Sequence, residues 1–335
     1  IRRYALIKAS MSNPFFINKG PFNISVLLKL LNSKTKIEKD QEISDIKDLV
    51  SAETNCITFF HSKKYQDLAK KTKASYCITT DNFREYLPSQ CKSIIVENVL
   101  IATSLITAKF YPNSVEDEFD NSVNNIEKTE FSKTVNFGKN VLIGNKVKIG
   151  SNSLIGHNTI IEKNVQIGNN CKIGSNAIIR NSIIKDNVTI LDNCVIGKKG
   201  FGFFPKPNEN LRYPHIGIVI INENCEIGCG ATIDRGSMSN TEIGKNTFLD
   251  NQIHIAHNVK VGENTIIAGQ VGIAGSSIIG NNVKIGGQAG ISGHLRIGDN
   301  VDIAGGSGVI KSIPNNSKVM GYPAKNIREF LKESR

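Results

Sequence analysis

Tryptophan is absent from this chain of 335 residues, and aromatic residues of all kinds make up only 7% of it. No apolar run reaches the roughly 18 residues that a membrane-spanning helix needs, which argues against an integral membrane segment. A basic start followed by an apolar run and a small-residue cleavage site is also missing, so we expect no secretory leader and a cytoplasmic protein. Residues 1–10 precede the first methionine, Met11, and we expect them to lie upstream of the folded domains.

Paired cysteines are missing as well. The seven cysteines are odd in number and form no Cys-x-x-Cys pair, which disfavours a disulfide framework or a zinc ribbon and fits a reducing compartment. The formal net charge of +11 suggests an acidic partner. Charge alone does not supply the interleaved basic and aromatic residues of a nucleic-acid surface, so we predict no nucleic-acid binding. The chain has only six histidines, and we predict no metal site.

The first part of the chain, over residues 11–112, has the pattern of a small α/β domain. Short continuous apolar runs are typical of buried strands, and apolar residues three and four apart are typical of helices. An acidic stretch with Pro and Asn follows, and it predicts a linker over 113–133. The patterns predict strands at 56–60, 76–80 and 93–96 and helices at 25–31 and 98–110.

A repeat with a period of six residues occupies most of the chain over 134–318. The segment 141–176, for example, reads VLIGNK, VKIGSN, SLIGHN, TIIEKN, VQIGNN, CKIGSN. The third position is nearly always Ile and the first is small or β-branched, so both face inward from a short strand. The sixth is mostly Asn or Gly, which tolerate the left-handed backbone of a tight corner. Stacked hexads of this kind predict a mainly β solenoid with Cys171, Cys194 and Cys225 in its core.

The repeat is interrupted in three places. One hexad is a residue short at 177–181, a loop rich in Gly and Phe occupies 200–218, and four residues are inserted at 237–240. A one-residue slip would exchange the inner and outer faces, so we expect each interruption to bulge from the solenoid as a loop. The repeat then fades, and the spacing predicts a short C-terminal helix within 319–335.

The hexads and four further motifs carry a resemblance to a known family. The motifs are ITFF…KKY in the first domain, GKKGFGF at 197–203, ATIDRG at 231–236, and FLDNQIHIAHNV with AGS and SGH after it. In this order they resemble the UDP-3-O-acylglucosamine N-acyltransferases of lipid A biosynthesis, which are hexapeptide acyltransferases. The resemblance implies a left-handed parallel β-helix with three hexads per coil behind a uridine-binding α/β domain. It also implies a homotrimer in the cytoplasm of a Gram-negative-type bacterium.

The implied reaction moves a (3-hydroxy)acyl chain from acyl carrier protein to the 2-amine of UDP-3-O-acylglucosamine. The co-substrate is the phosphopantetheine thioester of the carrier, and no bound cofactor is implied. The loop at 200–218 is expected to close over the acyl chain or to contact a neighbouring copy. Lysines and an arginine in and beside this loop, together with a basic C-terminal tail, are a suitable landing surface for an acidic carrier.

His257 is the candidate general base of this reaction. With three hexads per coil, residues 18 apart lie one above the other, about 4.8 Å apart. Gly275 and Gly293 therefore lie above His257, and His294 flanks the far end of the resulting side-chain-free groove. An imidazole titrates near neutrality and suits proton transfer. The resemblance assigns the oxyanion-binding N–H to Gly275 and substrate or phosphopantetheine binding to His294.

Two further clusters are candidates for substrate binding. Two aromatic residues of the first domain match the pair that sandwiches uracil in the family, and such rings stack well on a base. Ser62 lies between them, where the resemblance leads us to expect Asn. His254 is either structural or adjacent to the substrate. The candidates are Asp250, Asn251 and Gln252 in the solenoid and Phe59, Ser62 and Tyr65 in the first domain.

Other functions compete with this one. A related hexapeptide O-acyltransferase acting on UDP-N-acetylglucosamine shares the AHN-type histidine motif but lacks the first domain. A non-catalytic β-helix binding protein, such as an ice-binding protein, would carry outward Thr ladders, and the sequence has none. A zinc carbonic anhydrase on the same kind of solenoid would need a His-x4-His pair, whereas only two residues separate His254 from His257.

Overall fold

A computed structural model describes residues 13–126, 131, 133–205, 208 and 210–321. The chain separates into two compact units. The first contains the described residues up to Asp117 together with Gly202–Ile216, and the second contains Glu118–Phe201 and the described residues from Gly217 onward. The upstream segment predicted at 1–10 and the predicted C-terminal helix from residue 322 onward lie outside the described residues.

A parallel sheet forms the centre of the first unit. Its strands pair in chain order, and the one that begins at Tyr76 is buried at all four positions. Burial on both faces explains why these segments are continuous apolar runs rather than alternating ones. The three predicted strands are confirmed, each within a residue of its expected bounds. The strands are Asp45–Ile46, Cys56–Phe60, Tyr76–Thr79 and Lys92–Ile95.

Helices of the first unit join these strands. Both predicted helices are confirmed, at Ile24–Leu30 and Val99–Phe110. Asn98 caps the second, because its side chain accepts a hydrogen bond of 3.0 Å from the N–H of Ile101. The other described helices of this unit are short: the α-helix Gln66–Ala69 and the 3-10 helices Lys63–Tyr65, Asp81–Tyr86 and Pro112–Ser114.

The Gly- and Phe-rich loop belongs largely to the first unit, which differs from the expectation of a bulge on the solenoid. Its strands Phe203–Pro205 and Asn210–Arg212 form an antiparallel hairpin, and a second short ladder joins Phe22–Asn23 to Glu42–Ile43. The hydroxyl of Ser104 donates to the carbonyl of Arg212, which ties the hairpin to the helix Val99–Phe110. The N–H of His215 also donates to the carbonyl of Ser114 at 3.3 Å, so hydrogen bonds attach the loop to this unit at two points.

The second unit is a parallel β-helix with three faces. Strands pair with the strand 18 residues further along, as in Ile160 with Ile178 and Gly272 with Gly290, so the prediction of three hexads per coil is confirmed. Each face is one parallel sheet, and the three are called faces 1, 2 and 3, with their strands given below. The chain passes from face 3 to face 1, then to face 2, and returns to face 3 one coil higher.

The strands of each face are as follows in the described part of the chain. Face 1 consists of Lys148–Ile149, Gln166–Ile167, Ser182–Ile184, Val219–Ile221, Thr241–Ile243, Lys260–Val261, Ile278–Ile279 and Arg296–Ile297. Face 2 consists of Asn136–Phe137, Leu154–Ile155, Lys172–Ile173, Thr189–Ile190, Glu226–Ile227, Phe248–Leu249, Ile266–Ile267, Lys284–Ile285, Asp302–Ile303 and Lys318–Val319. Face 3 consists of Asn124–Asn125, Leu142–Ile143, Ile160–Ile161, Ile178–Ile179, Val195–Lys199, Thr232–Arg235, His254–Ile255, Gly272–Ile273, Gly290–Ile291 and Gly308–Val309.

Corners and core follow the hexad pattern. The sixth position has a positive φ at the regular corners, for example 61° at Asn258 and 60° at His294, which confirms the left-handed corners; beside the two insertions and at the end of the repeat, Gly200, Gly236 and Ser312 do not have it. The predicted core cysteines Cys171, Cys194 and Cys225 are buried. Their thiols donate to backbone carbonyls at 3.0 to 3.1 Å, so they behave as small core residues and form no disulfide.

The solenoid begins earlier than residue 134, inside the predicted linker. Strand Asn124–Asn125 pairs antiparallel with Leu142–Ile143. Before it, the carboxylate of Asp120 accepts hydrogen bonds from the N–H of Lys163 and from the N–H and hydroxyl of Ser122. The hexad one coil above Lys163 is the short one at 177–181, which lacks a residue at its corner, and the carboxylate of Asp120 accepts the N–H of Lys163 in its place.

Candidate active site

His257 lies at the corner that joins face 3 to face 1, directly before Asn258. Its ring is held between two glycines from the coils on either side. A Cβ added to Gly200 would lie 2.8 Å from Cβ and Nδ1 of His257, and one added to Gly275 would lie 2.7 Å from Cε1 and Nε2. Real Cβ atoms do not make such contacts, so no other residue fits at either position without displacing the imidazole. The two glycines thus determine where the ring lies.

The surroundings of His257 favour its neutral form. Burial lowers the pKa of its imidazole below the ordinary value of 6.5, and positive charge on His294 and on His254 would lower it further. At neutral pH the ring is therefore unprotonated and can accept a proton.

An open backbone N–H lies directly above His257. At most corners, the N–H of the fifth hexad residue donates to a side chain one coil higher, as Glu263 does to Asn281 at 2.8 Å. The residue one coil above Gly275 is Gly293, which has no side chain to accept. Within the described residues the N–H of Gly275 accordingly makes no hydrogen bond, whereas its carbonyl accepts from the N–H of His294 at 3.0 Å. Gly275 can therefore donate to an oxyanion placed beside His257.

Asp250, Asn251 and Gln252 lie at the other edge of face 3, at the corner with face 2. The structure does not bring them to His257 of the same chain. Each closes its own corner: Asp250 accepts from the N–H of Gly269 at 3.0 Å and Asn251 from that of Cys229 at 2.8 Å. Gln252 begins a ladder in which the side-chain amide of each glutamine bonds the next at 2.9 Å.

In the first unit, the structure brings the aromatic candidates together at the carboxyl end of a parallel strand. Phe59 lies near the end of Cys56–Phe60, and Tyr65 ends the 3-10 helix Lys63–Tyr65. The ring of His61 stacks on Phe59, with centroids 6.1 Å apart, and lies 5.7 Å from that of Tyr65. Ser62 begins the 3-10 helix, and its hydroxyl makes no capping hydrogen bond. The carboxyl ends of parallel strands are the usual place for ligands.

Comparison with known proteins identifies the family. A family model described as UDP-3-O-(3-hydroxymyristoyl) glucosamine N-acyltransferase (LpxD) matches residues 40–109, and a bacterial transferase hexapeptide model matches 146–181 and 240–275. A UDP-3-O-acylglucosamine N-acyltransferase 2 of Legionella pneumophila (strain Paris) is 40% identical over 329 residues, which cover 97% of this chain and 96% of that one. This chain belongs to the UDP-3-O-acylglucosamine N-acyltransferase family.

Other matches extend the comparison. The UDP-3-O-acylglucosamine N-acyltransferase of Rickettsia prowazekii (strain Madrid E) is 41% identical over 254 residues, covering 74% of this chain and 73% of that one. Among solved structures, the UDP-N-acetylglucosamine acyltransferase from Campylobacter jejuni shares 24% identity, with a TM-score of 0.45, over 55% of this chain and 68% of that one. As in the hexapeptide transferases, the second unit is a left-handed parallel β-helix.

Sequence reasoning missed three features of this N-acyltransferase. It did not assign a role to His61, although the HSKKY run places it between the two aromatic candidates. It left His254 undecided and did not connect it with Asp234, whose Oδ2 lies 3.8 Å from Nε2 of His254, because that approach depends on which coils are neighbours. It also missed a strip of outward glycines on face 3 beyond His254. A Cβ added at any of them would meet nothing within 4 Å: Gly272, Gly290 and Gly308.

In the described ranges, no cluster of three or more His, Cys, Asp or Glu side chains is arranged to hold a metal ion. Among those same residues, no helix combines the length and the apolarity that a bilayer crossing requires.

Proposed function

We propose that the chain transfers a (3-hydroxy)acyl group from acyl carrier protein to the 2-amine of UDP-3-O-acylglucosamine, as a step of lipid A biosynthesis in the cytoplasm. The observation that carries the proposal is the pairing of a neutral imidazole with an open backbone N–H. His257 is held between Gly200 and Gly275, and Gly275 presents its N–H above the ring. Acyl transfer needs a base that takes the proton of the attacking amine and an N–H that donates to the oxyanion, both at the same carbonyl group.

The reaction follows from these two groups. The amine nitrogen attacks the thioester carbonyl carbon, and Nε2 of His257 takes the proton that the nitrogen loses. The carbonyl oxygen becomes an oxyanion and accepts the N–H of Gly275. When the tetrahedral intermediate collapses, the carbon–sulfur bond breaks and the imidazolium returns its proton to the thiolate. His294, near the end of the groove, binds substrate or the phosphopantetheine arm.

The first unit serves as the uridine-binding domain in this proposal. Phe59 and Tyr65 offer ring faces for stacking on uracil, and the hydroxyl of Ser62 offers a hydrogen bond. The second unit is the acyltransferase domain. Lys198 and Lys199, which directly precede the loop, and the basic residues near the C-terminus supply positive charge for docking of the acidic carrier.

We further propose a homotrimer whose active sites lie between copies. Phe248 and Ile266 are in register on neighbouring strands of face 2, and their side chains are 44% and 53% exposed. Covering such a pair favours association. A neighbouring copy would bring its Asp250, Asn251 and Gln252 to the groove at His257, where they would contact the substrate.

The test is mass spectrometry of the reaction with an acyl carrier protein thioester and UDP-3-O-acylglucosamine. We expect an amide product from the wild-type protein and a loss of rate of at least about a hundredfold in His257→Ala. His157→Ala is the matched control, because His157 occupies the same hexad position at another corner, where its Nδ1 accepts from the N–H of Lys139 at 2.8 Å. No product from the wild-type protein would refute the function, and an unimpaired His257→Ala variant would refute the role of the base. UDP-N-acetylglucosamine as acceptor tests the O-acyltransferase alternative.

A further inference from the structure

The four residues inserted at 237–240 lie beside the corner that carries His257, and the proposed reaction gives them no role. They form a bend between a strand of face 3 and a strand of face 1. From the coil below, the N–H of Gly217 donates to the carbonyls of Gly236 and Ser237, both at 2.9 Å. The insertion is thus fastened to the solenoid at its first residue.

Asn258, the residue after His257, joins this insertion to the corner through its side-chain amide. Oδ1 of Asn258 accepts the N–H of Ser237 at 2.7 Å and its hydroxyl at 3.2 Å. Nδ2 donates to the hydroxyl of Ser237 at 2.8 Å and to that of Ser276, one coil higher, at 3.2 Å. The oxygen and both hydrogens of the amide are therefore engaged. The three side chains form a chain of hydrogen bonds that spans consecutive coils.

This chain of hydrogen bonds passes next to both groups of the proposed reaction. Asn258 directly follows the base His257, and Ser276 directly follows Gly275, whose N–H is the oxyanion donor. A bond between the two side chains therefore acts one residue away from each group. The N–H of Ser276 also donates to the carbonyl of His257 at 2.9 Å, so the two coils approach closely at this point.

The usual fastening between coils is missing where the base lies. At the corner between faces 1 and 2, side chains at the fifth hexad position accept the N–H of the residue one coil lower, as Asn281 does. Above His257 the fifth position is Gly275 and then Gly293, and neither has a side chain that could accept. The glycines that leave the oxyanion donor open thus remove this fastening. The hydrogen bonds of Asn258 supply one at the next position.

We propose that the hydrogen-bonded chain through Asn258 sets the distance between the imidazole of His257 and the N–H of Gly275. Its members are positioning residues, which act on the base and the donor through the backbone rather than on the substrate: Ser237, Asn258 and Ser276. The inference rests on the proposed function, because that function identifies the base and the donor. Displacing a reacting group by about 1 Å can cost about a hundredfold in rate.

Asn258→Gly tests the proposal, because glycine accepts the positive φ of 61° at this corner and removes only the side chain. We expect kcat at pH 8, from mass spectrometry of the amide product, to fall about tenfold or more while KM stays within about twofold. Asn246→Gly is the matched control, because Asn246 has a φ of 57° and donates to Asn264 one coil higher at 2.8 Å, at the corner between faces 1 and 2. Its kcat should stay within about twofold of wild type.

Two further variants separate positioning from a general structural role. Asn258→Asp keeps an acceptor for the N–H of Ser237 and for both hydroxyls, so kcat should recover to within about threefold of wild type. Its negative charge stabilises the imidazolium of His257, so the acid limb of kcat/KM should move to higher pH. Ser276→Gly removes only the upper bond and should slow the enzyme less than Asn258→Gly. The double variant should be no slower than Asn258→Gly, because both changes remove the same contact.

Titration of the His257 ring by NMR gives a readout that needs no turnover. Its pKa should lie below 6.5 in the wild-type protein and in Asn246→Gly, and should rise toward 6.5 in Asn258→Gly, where the less confined ring gains access to water. Equal kcat values in the two glycine variants would overturn the inference and leave the proposed function intact. If the wild-type protein forms no amide, the proposed function fails, and an unchanged ring titration in Asn258→Gly then overturns the inference as well.

Discussion

At the scale of single residues, glycine determines the position of the candidate base. Gly200 and Gly275 enclose the ring of His257 so closely that a single methyl group at either position would displace it. Gly293 has a different effect, because its missing side chain leaves the N–H of Gly275 open. Glycine thus positions the imidazole of His257 and also leaves the N–H of Gly275 exposed.

Gly275→Ala should reduce kcat by about a hundredfold or more, because the added methyl group would lie 2.7 Å from Nε2 of His257 while the backbone N–H remains. The matched control is Gly308→Ala, where an added Cβ meets nothing within 4 Å. Steady-state kinetics together with a thermal melt check both variants. A Gly275→Ala protein that turns over like wild type would show that the position of the ring is unimportant.

The pKa of His257 predicts the acid limb of the pH profile. The base must be neutral, and burial lowers its pKa below 6.5, so kcat/KM should be near its plateau at pH 7 and should fall only at pH values below 6.5. His294→Asn removes a charge that lowers this pKa, so the limb of the residual activity should move to higher pH. A wild-type limb centred above pH 6.5 would contradict the direction of the shift.

At the scale of the element, each corner of the solenoid is completed by the coil above it. Side chains at the fifth hexad position accept the N–H of the residue one coil lower, as Asp299 does from Asn281 at 2.7 Å. A corner whose upper neighbour lacks the fifth residue therefore leaves a donor unsatisfied. The hexad above Lys163, at 177–181, is one residue short, and the carboxylate of Asp120 accepts the N–H of Lys163 instead, at 2.7 Å.

Asp120→Asn should lower the free energy of unfolding by about 2 kcal/mol at pH 7, the usual worth of hydrogen bonds to a buried charge. Burial would raise the pKa of Asp120, but hydrogen bonds from Lys163 and Ser122 outweigh it and hold the pKa below 3.8. The carboxylate of Asp120 therefore stabilises the folded state fully at pH values above its pKa in the unfolded state. This stabilisation is lost as the pH falls through its lower pKa in the folded state.

Urea unfolding of wild type and Asp120→Asn at several pH values tests this expectation. The difference between the two proteins should be constant from pH 7 to about pH 5 and should shrink toward pH 3. Asp302→Asn, whose partner Lys318 is exposed, should change stability by less than about 0.5 kcal/mol. A difference for Asp120→Asn that grows at low pH would refute the assigned sign.

At the scale of the whole molecule, the candidate site is divided between two edges of face 3. His257 lies at the edge shared with face 1 and Asp250 at the edge shared with face 2. One chain cannot bring them together, because a complete strand of the face separates them. A second copy can, and this is the reason for proposing active sites between copies.

Mixing two inactive variants tests the shared site. His257→Ala and Asp250→Ala should each be impaired alone, and co-expression of the two should restore about a quarter of wild-type activity. In random assembly, one interface in four combines the intact His257 of an Asp250→Ala chain with the intact Asp250 of a His257→Ala chain. Sedimentation of the mixture confirms that it assembles. An inactive mixture of correctly assembled trimers would show that each site is built from a single chain.

The six-residue pattern alone determined the solenoid, its core, its corners and the column of glycines above His257. A repeat of this kind is predictable because each hexad contacts only its neighbours, so register follows from spacing. The strands and both longer helices of the first unit were also predictable, since continuous apolar runs and helical spacing are local signals.

Only the tertiary structure decided which segments without a repeat lie beside each other. The segment Gly202–Ile216 joined the first unit, Asn124–Asn125 joined the solenoid ahead of its expected start, and His61 stacked on Phe59. The separation of 3.8 Å between Nε2 of His254 and Oδ2 of Asp234 likewise depends on the exact offset across the four residues inserted at 237–240. Such contacts arise from packing between residues distant in the chain, and no local period encodes them.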